Sequence, residues 1–206
     1  MSSIISFLKK LPIDVGQSEK KHDTAGKRIT FSFVSDAPAV GKTALDIGCR
    51  DGYWAERLKE KGYRVSALDI EPMYEGAITH DVEWGLPYPE DSFDLVWCTE
   101  VVEHLRDPKL LFEEIERVMR PGGTAVLTTP NSHWWFYAVV RLWGWTPQNL
   151  QNPDHKQFFD ERSMRETASG YNLFGYFPYA VFFFRIRRLV GFLSPTFIMV
   201  RRFGSI

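Results

Sequence analysis

The sequence predicts an α/β fold organised around a nucleotide-binding strand–turn–helix unit, and three observations predict it. First, Thr43–Ile47 is a short apolar run with one acid, Asp46. It leads into the glycine-bounded turn Gly48-Cys49-Arg50-Asp51-Gly52 and then a stretch of helical composition, Trp54–Lys61. Glycine has no Cβ and tolerates positive φ, so such a turn lets backbone approach a ligand closely. Second, another apolar run ends at Ala67-Leu68-Asp69-Ile70. Asp69 thus follows Gly48 by about 20 residues, the spacing of a carboxylate that accepts hydrogen bonds from ribose hydroxyls in a βαβ unit. Third, apolar runs continue to alternate with helical patterns as far as Thr129.

Composition bounds the function. At 206 residues, residues 1–206 read as one domain with a full-sized core, preceded by an arm over 1–40. The net charge of −1 gives no global reason to bind nucleic acid. Two cysteines, Cys49 and Cys98, make no disulfide framework, so a reducing, cytoplasmic compartment is expected. Met1–Val15 has an apolar patch, but Lys9, Lys10 and Pro12 cut it short of a signal peptide. A spanning helix needs roughly 18 predominantly apolar residues. The nearest stretch, Thr167–Phe184, is broken by Gly170, Asn172, Gly175 and Pro178.

In order, Ser2–Lys10 has the composition of a short amphipathic helix, and Asp14–Lys27 is a polar arm. Arg28–Val34 has apolar spacing that suits a helix or a strand. Strand one, its turn and helix one fill Thr43–Lys61, with Gly62 as the stop. Strand two is Arg64–Ile70. After a loop over Glu71–Gly76, Ala77–Val82 carries a third strand and then Asp81, an acid with a loop or helix-capping alternative. Leu86–Ser92 has turn chemistry. Phe93–Cys98 is strand four, and Thr99 and Glu100 leave it at the cleft mouth, where open α/β sheets bind ligands. Pro108–Met119 is a helix that buries Leu110, Leu111, Phe112, Ile115 and Val118. Arg120-Pro121-Gly122-Gly123 ends it, Thr124–Thr129 is strand five, and Thr196–Val200 is the last strand.

The glycine turn is not a dinucleotide fingerprint, because Arg50 and Tyr53 stand where G-x-G-x-x-G needs glycine; a P-loop is absent too. Asp46, two residues before Gly48, would repel a pyrophosphate but suits a ligand with an ammonium group and a sulfonium. The stretch resembles motif I of the class I S-adenosylmethionine-dependent methyltransferases, D/E-x-G-x-G-x-G. Asp46, Gly48 and Gly52 match; Arg50 departs, standing at the middle glycine. With the RPGG turn, the resemblance runs from Thr43 to Asn131. It implies a Rossmann-like, seven-stranded, mostly parallel sheet with helices on both faces. The last strand would run antiparallel beside strand five, and an aromatic cap would occupy 131–160. It also implies S-adenosylmethionine as cofactor. Asp46, Gly48 and Gly52 would shape its methionine end, Asp69 its ribose, and Asp81 and Val82 its adenine, with Cys49, Ile70 and Cys98 completing the binding set.

A second constellation follows. Glu100, Glu103 and His104 fall at i, i+3 and i+4, and share a face if Glu100 opens a helix. Two carboxylates and an imidazole make half of a divalent-metal site, and His155 lies downstream. E-x-x-E-H with a later histidine resembles the ubiquinone-biosynthesis catechol O-methyltransferases and the small-RNA 3′-terminal 2′-O-methyltransferases. In both, the matching side chains hold a divalent ion that grips adjacent acceptor oxygens. By position the ligands here would be Glu100, Glu103, His104 and His155, and the ion magnesium or zinc. Many metal-free methyltransferases carry Glu-His-Leu here as well. In that case His104 is the base and Glu100 its neighbour at the acceptor.

The last third is aromatic and basic. Asn131–Trp145 carries four of the seven tryptophans, with Arg141 its only formal charge. Residues 179–195 form an amphipathic segment in which Arg185, Arg187 and Arg188 are embedded in large apolar side chains. From Thr167 onward there are five arginines and no acid. Such a surface suits an anionic membrane, a pocket for an anionic acceptor, or a helix packed on the sheet with its arginines reaching outward. The expected function is methyl transfer to oxygen on a small or lipid-linked acceptor, with peripheral membrane contact and no nucleic acid. The alternatives are a metal-free N- or C-methyltransferase and a non-catalytic cofactor-binding or membrane-adaptor protein.

Overall fold

A computed structural model describes residues 24–151, 154–179 and 182–204. The helix expected over Ser2–Lys10 and most of the polar arm lie outside them. The chain opens with α1 (Ala25–Phe31), β1 (Thr43–Ile47), α2 (Tyr53–Glu60), β2 (Arg64–Asp69), β3 (Ile78–Thr79) and β4 (Phe93–Thr99). It continues through α3 (Pro108–Val118), β5 (Met119–Pro130), α4 (Trp135–Val140), α5 (Pro147–Leu150) and α6 (Glu161–Thr167). It ends with β6 (Asn172–Tyr179), β7 (Phe182–Ile186), α7 (Val190–Leu193) and β8 (Thr196–Arg202). Of Arg28–Val34, the part up to Phe31 is helical, and α1 starts at an N-cap in which Thr24 Oγ1 accepts from Lys27 N.

The strands form one sheet in the order β3-β2-β1-β4-β5-β8-β6-β7. β3, β2, β1, β4 and β5 are mutually parallel; β8 runs antiparallel between β5 and β6, as expected for the last strand. Among the described residues the sheet has eight strands, not seven. The additional one is β7, which pairs antiparallel with β6 so that Phe177 faces Phe184 and Gly175 faces Ile186. In the amphipathic segment over 179–195 the structure therefore has the strand β7 followed by the one-turn α7, so the alternative of a helix packed on the sheet holds only for Val190–Leu193. The segment's run of phenylalanines is strand-favouring, because such side chains pack well on a pleated surface.

Both faces are covered, so the central strands β1 and β4 are mostly apolar. In β4, Val96 and Cys98 join α3 residues Leu111, Ile115 and Val118, while Leu95 and Trp97 join Trp54 and Leu58 of α2 on the other face. This is the burial that makes a central parallel strand a continuous apolar run. Phe31, Trp54 and Trp97 form a ring triad with centroids 4.9–5.5 Å apart, which fastens α1 and α2 to the sheet. α3 is set by Asp107, whose carboxylate accepts from Lys109 N, and by Pro108 in its first turn. α6 is set by a reciprocal capping box of Asp160 and Ser163. Among the described residues no helix is long and apolar enough to cross a membrane.

Candidate cofactor and acceptor sites

The carboxyl ends of β1 and β2 bring Asp46, Gly48, Gly52 and Asp69 together. Asp46 is buried at 2% exposure, and its Oδ2 has no hydrogen-bond partner. Burial first, and the Asp69 charge next, push its carboxyl up to about 7; a hydrogen bond from the Ala55 backbone and, more weakly, the charge of Lys27 of α1 act in the opposite direction. Gly48 (φ +75°) lies against Val101, and a Cβ there would overlap the valine methyl. Gly52 (φ +80°) lies under the Tyr74 ring, which a Cβ would strike. Arg50, at the middle-glycine position, takes the left-handed conformation itself (φ +47°).

Asp69 accepts from Arg50 N (2.9 Å) and from Glu71 N (3.0 Å), and Ile70 beyond it is exposed. Asp81 caps a short 3₁₀ turn, Val82–Trp84, by accepting from Glu83 N at 2.9 Å, and Val82 is buried. The capping alternative is thus the contact its side chain makes here. Cys49 and Cys98 are buried free thiols. Burial, helped by Asp46, pushes Cys49 up to about 12, and burial likewise raises Cys98. Neither is a thiolate at neutral pH.

On the acceptor side, ligand atoms of Glu103, His104 and His155 lie within 4.8 Å of one another. Of the four residues expected as ligands, Glu100 is not in that group. It adopts φ +59° instead of opening a helix, and a 3₁₀ turn starts only at Val102. The i, i+3, i+4 face is therefore broken, and Glu100 Oε1 accepts from Thr128 Oγ1 at 2.9 Å. Glu103 is 1% exposed, and its Oε2 accepts from Thr129 Oγ1 (2.9 Å). The carbonyl of Glu103 accepts from Lys156 N and Gln157 N, which draws the segment carrying His155 against it.

The His155 side chain is almost fully buried. Its Nδ1 lies 3.4 Å from Gln151 Oε1, and its Nε2 lies 3.9 Å from Glu103 Oε1 without a hydrogen bond. Burial, then the neighbouring His104, lowers its pKa to about 4. The two imidazoles meet edge-on with centroids 4.8 Å apart, and His104 Nδ1 lies 3.3 Å from the Asp154 carbonyl. Over them the cap has a small core of its own, in which Trp134, Tyr137, Val140 and Leu150 are buried.

Sequence reading missed Lys27, Tyr74, Val101, Thr129 and Gln151. Tyr74, Val101, Thr129 and Gln151 join the site by tertiary contact and Lys27 through its charge, with no local pattern to announce them.

A doubly wound sheet with a glycine-bounded turn after β1 and acids at the ends of β1 and β2 is the architecture of class I S-adenosylmethionine-dependent methyltransferases. Residues 21–174 match a family described as a methyltransferase domain, and the chain belongs to that family. A ubiquinone biosynthesis O-methyltransferase of Idiomarina loihiensis is 29% identical over 162 residues, which cover 69% of this chain and 66% of that protein. An S-adenosylmethionine-dependent methyltransferase structure from Archaeoglobus fulgidus superposes with a TM-score of 0.62 at 17% identity, over 85% of this chain and 91% of that one. The 1,6-didemethyltoxoflavin-N1-methyltransferase of Burkholderia thailandensis, solved with S-adenosylhomocysteine, gives 0.58 at 17% identity, over 88% and 79%. At those identities the two structures bear on the fold alone. The chain spans 47–66% of the length of the first curated relatives it matches.

Proposed function

We propose that the protein transfers the methyl group of S-adenosylmethionine to an oxygen of a small or lipid-linked hydroxylated acceptor, with a divalent ion at Glu103, His104 and His155. One observation carries the acceptor half of this reading: the buried, unpartnered Nε2 of His155, beside Glu103 Oε1. A buried polar atom without a partner costs free energy unless something occupies it. With Nδ1–H directed at Gln151 Oε1, the tautomer leaves Nε2 as a bare lone pair. A pKa of about 4 makes that nitrogen a poor base at neutral pH but keeps it free of a proton and able to ligate. When bound, the ion would lower the pKa of an acceptor hydroxyl and orient it.

The chain's own residues do the rest. Thr129 fixes Glu103 through Oε2 and leaves Oε1 turned toward His155. With the ion bound His104 is one of its ligands and the hydroxyl proton would leave to solvent; without the ion His104, less buried than its partner, is the group placed to take that proton. The acceptor oxygen then attacks the methyl carbon in line, and the carbon–sulfur electron pair returns to sulfur and discharges the sulfonium. At the other end, the orphaned Oδ2 of Asp46 suits the ammonium group of the donor, and Lys27 suits its carboxylate. The relatives named as O-methyltransferases support oxygen as the acceptor atom. Exposed Leu142 and Trp143 beside Arg141 in the cap support an acceptor with a lipid tail.

The test is calorimetric titration of S-adenosylmethionine into chelator-treated protein, then of a catechol with and without zinc or magnesium. Cofactor binding, with a metal-dependent gain in catechol affinity that is lost in Glu103→Gln and His155→Ala, is the expected result. No cofactor binding under any condition would overturn the methyltransferase reading. Catechol affinity indifferent to metal would overturn the ion.

A further inference from the structure

The cofactor turn carries an arginine where its motif has glycine, and something has to hold that residue in place. Arg50 adopts φ +47°, a conformation that costs any residue with a Cβ free energy. Of its two backbone polar groups, one is held by the last residue of β2 and the other by the loop that follows. Arg50 N donates to Asp69 Oδ2, and Met73 N donates to the Arg50 carbonyl, each at 2.9 Å. One residue further on, the Tyr74 ring lies across Gly52, leaving no room for a Cβ. Its hydroxyl bonds both Glu56 and Lys59 on α2, and Lys59 Nζ lies 5.2 Å from the ring centroid. The loop over 70–76 is therefore folded back on the glycine turn and fastened at its far end to the helix that the turn begins.

We propose that Tyr74 is a positioning residue for the methyl donor: a latch that clamps the β2 loop onto the glycine turn and holds Arg50 and Asp69 in their binding geometry. It rests on the cofactor reading above. Gly52 is then glycine for two reasons, its positive φ and the ring that covers it. The phenol acts mainly as a lid of the right area, and its hydroxyl contacts orient it. The latch makes the left-handed arginine tolerable, and a glycine in place of Arg50 would need it less.

The test compares S-adenosylmethionine affinity in wild type, Tyr74→Ala, Tyr74→Phe and Arg50→Gly, and in the Arg50→Gly/Tyr74→Ala pair. Tyr74→Ala is expected to weaken binding about tenfold, within the range of coupling between residues in contact. At saturating donor its kcat should fall by less than about threefold, because the loss is one of positioning in the binding step. Tyr74→Phe keeps the ring and should recover most of the affinity. In the Arg50→Gly background the tyrosine change should cost about threefold or less. Amide exchange at Arg50 and Met73, faster in Tyr74→Ala than in wild type, reads the latch without any ligand. A wild type that binds no donor defeats the function, and exchange then still decides the latch. Equal affinity and equal exchange in Tyr74→Ala would overturn it. So would a loss on Tyr74→Ala of the same size in the wild-type and Arg50→Gly backgrounds, or a fall in melting temperature with kcat and KM changed together.

Discussion

The most exacting prediction concerns a proton on Asp46. In the free protein, burial and Asp69 raise this carboxyl from 3.8 to about 7. Near neutrality, therefore, half the molecules carry a neutral Asp46. An ammonium group placed against its unpartnered Oδ2 favours the ionised form and returns the pKa toward the ordinary carboxylate value. Donor binding at pH 7 should then release about half a proton, and affinity should rise by about 20-fold from pH 5.5 to 7.5 and level off above. The sign for folding is opposite. A carboxyl raised on folding contributes stability fully below pH 3.8 and loses it as pH rises through 7, so the ligand-free protein should weaken over the range in which binding strengthens. The assay is calorimetry in two buffers of different ionisation enthalpy, repeated across pH, with Asp46→Asn as control. The asparagine variant should bind more weakly and show no slope. A buffer-independent enthalpy with flat affinity in wild type would refute the assignment of Asp46 to the ammonium end of the donor.

Two further outcomes follow from the same geometry. Gly48→Ala places a Cβ both at φ +75° and inside Val101; chemical denaturation should show a loss of about 2–4 kcal/mol, the sum of a left-handed backbone and an overpacked contact. Val101→Ala in the same chain should recover the packing part and not the backbone part, and full recovery would mean that the φ cost is absent. Cys49 and Cys98 are buried with raised pKa values, so a thiol reagent at pH 8 should label the native protein only as fast as it opens and should label both in denaturant; rapid native labelling would contradict the burial.

What the sequence made legible was set by how local the cause was. β1 and β4 announced themselves because a strand covered on both faces is apolar at most successive positions, β2 by its buried Ala67-Leu68 before an acid, and the turn after β1 through Gly48 and Gly52 at positive φ. The β6–β7 hairpin was hidden because a run of aromatics interrupted by arginines has no clean period, and short apolar runs do not distinguish strand from helix. Glu100 was grouped with Glu103 and His104 on the assumption of helical spacing, and a single left-handed residue removed that premise. His155 was picked out by type and distance in sequence, but what brings it to Glu103 is a pair of backbone hydrogen bonds from residues 156 and 157. Tyr74 and Lys27 were invisible for the same reason: their roles lie in which surface they fold onto.

The two strained residues of the site point to a common cause. The strand order reverses between β1 and β4, so the chain leaving β1 turns toward β2 and the chain leaving β4 turns toward β5. Such a divergence opens a crevice at the carboxyl ends of the two strands. Arg50 stands on one wall at φ +47° and Glu100 on the other at φ +59°. Each is tied outward. Arg50 N is held by Asp69 of β2, while Glu100 N donates to the Thr128 carbonyl of β5 and its carboxylate accepts from the same threonine's hydroxyl. Relaxing either residue to an ordinary conformation would turn its N–H away from that anchor, so each left-handed conformation is held by the bonds around it, the pattern in which backbone strain persists.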